Sequence, residues 1–365
     1  MRFNSSFHFC LTVPANTTSK EDGNCRPFAN DTSSIKGVKI LLYSVVLIVS
    51  LFGNSVIITT VARNKHMRTT INYLIANMAA SDLLISTFAV PMKLCEIVVG
   101  SRRWLIDGIA GLVLCKLVYF LQDISMAVSI QSLVVIAIDR YRGIVFPFRP
   151  AIITPKRCKI IIPLVWFTSM GLHGTYFYTV RLVSHNGTTF CDLSWAPNFH
   201  PQRAHESYVI VISVLLVILP FTVLTVLYTR IIWILRQQGL ATGQSILLHK
   251  RHEENTKVIK NLCVIMVAFA FCILPLFVYG ILYFFVWKWK MPCHMEQFGF
   301  AAHFVLFSNA AITPLIYFVF NVRYRKGLTD VLRKLLICQN DLNAEIELDS
   351  LSPQAQRYAN CANDK

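Results

Sequence analysis

Four groups of side chains in this chain could do chemistry. The first is Asp82, set in the apolar run Ala80-Ser81-Asp82-Leu83-Leu84, with Asn54, Ser129 and Asn309 in three other apolar runs. A carboxylate in apolar surroundings needs polar partners, because an isolated buried charge is costly. Such a set suits a small cation, sodium above all, and equally suits a hydrogen-bonded helix contact without an ion. The second is Asp139-Arg140-Tyr141, which begins 24 residues after Cys115. The third is the thiol pair Cys115 and Cys191. The fourth is His249 and His252, spaced as one metal-ligand pair. They stand in a basic stretch with no further histidine cluster, and none of the 11 cysteines falls in a Cys-x-x-Cys pair, so no metal centre is expected.

These side chains need elements to position them. The 365 residues are 55% apolar and only 15% charged, with a mean hydropathy of +0.52. Soluble domains run nearer 45–50% apolar and about 25% charged. The composition therefore excludes a soluble enzyme, a disordered chain and a disulfide miniprotein. Seven apolar runs follow, at about 38–62, 71–95, 112–146, 158–180, 206–236, 256–287 and 297–320. Each exceeds the roughly 20 residues needed to carry a helix across about 30 Å of hydrocarbon. The expected fold is an all-α membrane protein, a seven-transmembrane helix bundle over 38–320. Runs three, five and six are long enough to project into the cytoplasm as soluble helix.

Orientation follows from Lys and Arg. With the N-terminus outside, the inner loops and flanks carry 20 of them, Arg63, Arg140, Arg157, Lys250 and Arg323 included. The outer loops carry 7. The net charge of +16 is then mostly a membrane-surface charge, drawn to anionic lipid. Split among short loops, it gives no support to nucleic-acid binding. Residues 1–37 are polar and hold three glycosylation sequons, at Asn4, Asn16 and Asn30. They agree with an extracellular N-terminal tail on a multi-pass plasma-membrane protein. No signal peptide is recognisable.

Twenty-four residues make about 36 Å of helix, so Cys115 lies at the outer face when Asp139-Arg140-Tyr141 lies at the inner one. Cys191 falls in the outer loop after run four. Both thiols then face an oxidising compartment, and a Cys115–Cys191 disulfide is expected. Cys25 and Cys293 are candidates for a second bridge, which would leave Cys10 over. In the loop with Cys191, Asn186-Gly187 is a two-residue hairpin signal. It predicts Val183 facing Phe190, Leu182 facing Cys191 and Arg181 facing Asp192. Asn186 is itself a sequon. After run seven, 321–338 reads as a short amphipathic membrane-surface helix ending in Cys338, a palmitoylation candidate. Residues 339–365 are polar and expected to be a disordered cytoplasmic tail.

Together these residues resemble the class A, rhodopsin-like, G protein-coupled receptors. The resemblance covers about 38–338 and rests on Gly53-Asn54, the Asp82 segment, Cys115, Asp139-Arg140-Tyr141, Trp166, Pro220, Tyr228, Phe269, Cys272, Pro275, Pro314 and Tyr317. Pro220, Pro275 and Pro314 are hinge candidates, since proline frees a carbonyl and kinks a helix. The resemblance implies that Asp139, Arg140, Tyr141, Tyr228, Phe269, Pro275, Pro314 and Tyr317 carry activation. It implies a sodium site of Asp82, Ser129 and Asn309, and no other cofactor. It implies heterotrimeric G protein, arrestin and receptor kinases as inner partners. Three departures stand out. Ile273 replaces the usual tryptophan of the sixth helix. Thr313 replaces an asparagine before Pro314. Asn255 replaces an acid that often pairs with the arginine of the third helix, and Glu253 and Glu254 stand next to it as substitutes.

Gln122 occupies the position where amine receptors have an aspartate, and Phe307 the position where opsins have a lysine. Amine and light sensing are therefore disfavoured. The outer cup implied by the family would hold Glu96, Lys93, Gln122, Asp123, Met126, Phe277, Tyr279, Tyr283 and His303, with Asp192 and Glu206 at its rim. Acids among aromatics suit an extracellular peptide ending in arginine and an aromatic amide, because a carboxylate can fork to arginine. The plainer reading is that Asp123 and Glu96 are satisfied within the bundle. The stretch Leu121–Leu133 and Phe146-Pro147-Phe148-Arg149-Pro150 resemble invertebrate neuropeptide receptors, cnidarian ones included, of the neuropeptide Y, orexin and RFamide group. The expected function is a neuropeptide-activated G protein-coupled receptor, not an enzyme. Alternatives are a lipid, small molecule or light as ligand, or a transporter, although no internal repeat supports the last.

Overall fold

The structure, a computed structural model, describes residues 32–99, 104–150, 152–185, 187–241, 246–289, 292 and 295–333. The sequons Asn4, Asn16, Asn30 and Asn186, Cys338, and the cysteines Cys10, Cys25 and Cys293 lie outside the described residues.

Helix α1, Ser33–Arg63, is capped by Thr32, whose hydroxyl accepts the Ile35 N–H at 3.4 Å. Helix α2, Thr70–Leu84, passes through a π turn, Ile85–Ala89, into α3, Val90–Val99. Helix α4 is Gly108–Val145. Helix α5, Pro155–His173, starts with a Thr154 cap and proline in its first turn. A short α6, Tyr176–Thr179, leads into the hairpin strands β1, Val180–His185, and β2, Thr188–Leu193. Helix α7, Pro201–Ser213, joins α8, Leu219–Ala241, through a second π turn, Val214–Ile218. Helix α9, Ile246–Ile281, ends in a third, Leu282–Val286. Helix α10 is Glu296–Phe320, and a last helix covers 322–333. Among the described residues, those up to Ile316 form one compact unit and those from Tyr317 another.

Six of these stretches are long and apolar enough to cross a membrane by length and composition. The continuous helix from α2 through α3 supplies the remaining span of a seven-helix bundle. Each span starts before its apolar run, because flanking polar residues still complete helical turns, and three of the seven, the first, second and fifth, also end beyond it. Two of the π turns end two positions before a proline, Pro91 and Pro220. Within them the Val90 N–H reaches back to the Ile85 carbonyl and the Leu219 N–H to Val214. This wider turn takes up the clash that a proline ring makes with the carbonyl one turn earlier.

Helix α4 packs against α2, α5 and α8, and is the centre of the unit. Lipid gives helices no hydrophobic reason to associate, so packing and polar ties must hold them. Both are present. Phe120, Ile124 and Val128 of α4 bury against Val165 of α5. The Trp166 indole N–H donates to the Asn77 side-chain oxygen at 2.8 Å, and the Asn77 amide donates to Ser132 at 3.0 Å. Ser125 donates to the Ser81 carbonyl at 2.6 Å, and the hydroxyls of Ser81 and Ser129 are 2.9 Å apart. These bonds lock α2, α4 and α5 in register.

The hairpin has the pairing its turn dictates: Val183 faces Phe190, Leu182 faces Cys191 and Arg181 faces Asp192. Cys191 is disulfide-bonded to Cys115, with Cα atoms 5.8 Å apart, which ties the hairpin to the outer end of α4. The preceding loop joins it: the Trp104 N–H donates to the Thr189 carbonyl at 2.8 Å, and the Thr189 hydroxyl to Asp107 at 2.5 Å. Gly111 is required there. A Cβ on it would lie 1.8 Å from the Ile106 carbonyl oxygen.

Candidate functional site

The outer ends of α4, α7, α9 and α10, under the disulfide-held hairpin, carry most of the side chains expected to meet a ligand. They fall into three groups. In the first, Asp123 of α4 accepts from the Tyr176 hydroxyl and, at 3.3 Å, from the Gln122 amide. His173 is 4.0 Å from the same carboxylate and 2.9 Å from the Tyr208 hydroxyl. One carboxylate thus ties α4 to α5, α6 and α7. In the second, Glu96 pairs with Lys93 one turn earlier at 2.8 Å.

The third group is aromatic. Glu206 of α7 accepts the Trp289 indole N–H at 3.0 Å. Trp289 packs on Phe284 at 4.8 Å, His205 at 5.6 Å and Tyr283 at 5.8 Å between ring centroids. Tyr283 donates to the Trp289 carbonyl at 3.3 Å and stacks with Tyr279 at 6.2 Å. Tyr279 meets His303 edge-on, and His303 bonds the Gly299 carbonyl at 2.8 Å. Tyr279 and Tyr283 are each only 2% exposed, so this group is a packed cluster and not an open wall. Lys288 and Trp289 have φ of +46° and +69°. Side chains avoid that region at a cost of about 1–2 kcal/mol per residue, and the contacts around Trp289 hold it there. Met126, Phe277 and Asp192 are half-buried.

In the middle of the bundle, Asp82 is buried and neither of its carboxylate oxygens has a hydrogen-bond donor at bonding geometry, with Ser129 beside it. The Asn309 amide nitrogen is likewise buried and unbonded. Asn54 is committed elsewhere: its amide donates to Ser50 and to the Ala310 carbonyl at 2.9 Å, joining α1 to α10. Orphaned buried oxygens of this kind fit a small hard cation.

At the inner end, Arg140 donates to Asp139 at 2.5 Å and 3.1 Å. The expectation that Glu253 or Glu254 substitutes for the missing acid is not met. Glu253 pairs with Lys257 four residues on, at 2.6 Å, and Glu254 is exposed without an ion pair among the described residues. Helical spacing gives Glu253 a nearer cation than Arg140. Tyr228 is buried beside Arg140 and Cys263. Phe269 is buried, and Pro275 and Pro314 lie inside α9 and α10. The Tyr141 ring meets Phe146 at 6.2 Å. In the second unit, Tyr317 meets Tyr324 at 5.4 Å.

Sequence reasoning passed over Asn77, His173, Tyr176, Tyr208, Trp287 and Trp289. A readable signal existed for some. Asn77 and His173 are polar residues inside apolar runs, and Trp287-Lys288-Trp289 sits where interfacial tryptophans gather. Among the described residues, no cluster of His, Cys, Asp and Glu could hold a metal ion.

A family model described as 7 transmembrane receptor (rhodopsin family) matches residues 53–317. Among similar proteins, neuropeptide receptor 22 of Caenorhabditis elegans is 30% identical over 84% of this chain and 72% of its own length. Neuropeptide FF receptor 2 of Mus musculus is 30% identical over 84% of this chain and 74% of its own. A QRFP-like peptide receptor of Branchiostoma floridae is 30% identical over 82% and 78%.

Proposed function

This chain belongs to the rhodopsin family of seven-transmembrane receptors, and we propose that it is a multi-pass plasma-membrane receptor activated by an extracellular neuropeptide. The observation that carries this reading is a carboxylate, Glu206, set among packed aromatics at the outer end of the bundle. The names of its relatives support it. A short amidated peptide with a basic residue fits that chemistry: carboxylate for the cation, the half-buried Phe277 for an aromatic group and Gln122 for an amide, backed by the packed Tyr279, Tyr283 and His303. Met126 and Asp192 border this surface. Asp123 and Glu96 serve the bundle.

Arg140 relays the signal to a heterotrimeric G protein. Agonist must bind the open state better than the closed one, because a ligand shifts only what it distinguishes. Asp139 holds Arg140 at rest, with Tyr141, Tyr228 and Phe269 as further relay residues and Pro275 and Pro314 as hinges; Tyr317 acts in the same relay from its own unit. Arrestin and receptor kinases act on the same inner face. Asp82, Ser129 and Asn309 hold an allosteric sodium ion. The N-terminus is outside, and Asn4, Asn16, Asn30 and Asn186 carry glycan; Cys338 is palmitoylated.

A panel of synthetic amidated peptides on receptor-expressing cells, read by calcium and cyclic AMP, tests the reading. A response to a basic amidated peptide is expected. Silence to the whole panel at normal surface expression, with a response to a lipid or small-molecule panel, would overturn it.

A further inference from the structure

We propose that Glu206 and Trp289 form an autoinhibitory latch: the neutral indole occupies the carboxylate in the ligand-free receptor, and a cationic group of the ligand displaces it. The proposal rests on the peptide-receptor reading and says how that site is regulated. Three observations carry it.

Glu206 is half-buried, and its hydrogen bond among the described residues comes from an uncharged donor, the Trp289 N–H at 3.0 Å. Arg203, one turn earlier on the same helix, makes no ion pair with it among the described residues. A carboxylate partly removed from water and met by a neutral group is under-compensated. A guanidinium can offer two charge-assisted bonds where the indole offers one.

Trp289 is held in a backbone conformation that bulky residues avoid, with Lys288 before it also left-handed. Its N–H donates to the Tyr283 carbonyl at 3.0 Å, and Tyr283 donates back to its carbonyl at 3.3 Å. The left-handed pair therefore persists because the latch and these contacts over-determine it. Displacing the indole removes one of them and lets the pair relax, so the strain favours opening.

Trp289 also joins two elements. Its indole is bonded to α7, and its ring covers Tyr283 and Phe284 in the π turn that ends the sixth span. Leu193 of the hairpin and Val209 of α7 pack on the same two rings. Releasing Trp289 removes the polar tie between the outer end of the sixth span and α7 and leaves the apolar contacts of Val209 and His205 in place, and a cation at Glu206 is thereby linked to the helix on which Phe269 and Pro275 lie.

The test measures ligand-free nucleotide exchange on G protein in membranes, per receptor at the surface. Trp289→Phe keeps an aromatic ring, smaller than the indole, and removes the donor; Glu206→Leu removes the acceptor. Each should raise exchange roughly 3- to 10-fold, and the double variant no further, because both remove one bond. Wild-type exchange in both single variants, or additive gains in the double, overturns the latch. For the displacement, the probes are N-acetylarginine amide and its uncharged citrulline counterpart at millimolar concentration. The arginine compound alone should raise exchange, and only where Glu206 is intact. Equal effect, or no effect, of the two overturns displacement by a cation. A silent peptide panel with these results intact removes the peptide reading and leaves the latch standing.

Discussion

Asp123 offers the sharpest separation between a bundle tie and a ligand contact. In the structure it accepts from Tyr176 and Gln122 and lies 4.0 Å from His173. Tyr176→Phe removes one hydroxyl and leaves the ring in place. A hydrogen bond to a charged group contributes about 1.5–3 kcal/mol. The Asp123 side chain is 30% exposed, so water replaces part of the loss, and about 1.5 kcal/mol is expected. At about 2.1 cal/mol/K per residue, each kcal/mol moves the midpoint of a 365-residue chain by about 1.3 °C, so the detergent-solubilised receptor should melt about 2 °C lower. Asp123→Asn should cost a similar amount. The double variant should cost little more than the worse single one, a coupling of about 1 kcal/mol, because both act on one bond. Affinity for a basic peptide should change less than about tenfold in Asp123→Asn, since its charge is already used. Thermal melting and surface binding measure the two quantities separately. An unchanged midpoint with an affinity loss of about 100-fold or more would make Asp123 the ligand's carboxylate and refute this assignment.

Cys115→Ala or Cys191→Ala should abolish ligand binding and surface expression together, since a lost disulfide typically costs about 2–5 kcal/mol; normal binding in both would show that the hairpin needs no tether. Gly111→Ala forces the loop at Ile106 away from α4, because a backbone carbonyl stands where the new methyl must go. A loss of about 1–3 kcal/mol and reduced surface expression should follow, read by melting and flow cytometry. Asn255→Glu restores the acid that neither Glu253 nor Glu254 supplies to Arg140 and should lower ligand-free signalling, about 5- to 30-fold if the lock is worth 1–2 kcal/mol, with peptide affinity nearly unchanged. Arg140→Ala should bind peptide and not signal; normal signalling at equal expression would remove Arg140 from the relay.

Features set by local rules were legible in the sequence. Asn186-Gly187 admits one hairpin register, and that register is found. Seven apolar runs predicted the spans because lipid thickness imposes a minimum length. The Cys115–Cys191 bond followed from which face each thiol occupies. What was not legible depends on how helices rotate about their axes. Nothing in the order of residues says that Asp123 turns toward Tyr176, or that Glu206 meets Trp289 from beyond the end of a different span. The inner acid was misread for a local reason: Lys257, four residues from Glu253, is the nearer cation. Pro220 signalled a kink but not that its relief takes the form of an inserted residue, and the same device at Pro91 was passed over.

Those insertions have a consequence for how such a chain changes over generations. Each residue of an α-helix advances about 100° around the axis. The wide turn Val214–Ile218 takes up its extra residue locally, so losing one residue there would restore an ordinary helix and leave Glu206 and Tyr208 facing close to where they face now. The same loss in a regular part of the span would turn everything outward of it by about 100° and carry both side chains away from their partners. Ile85–Ala89 gives the second span the same buffer. The two π turns are thus the places where these spans can lose a residue and keep both their outer and their inner faces.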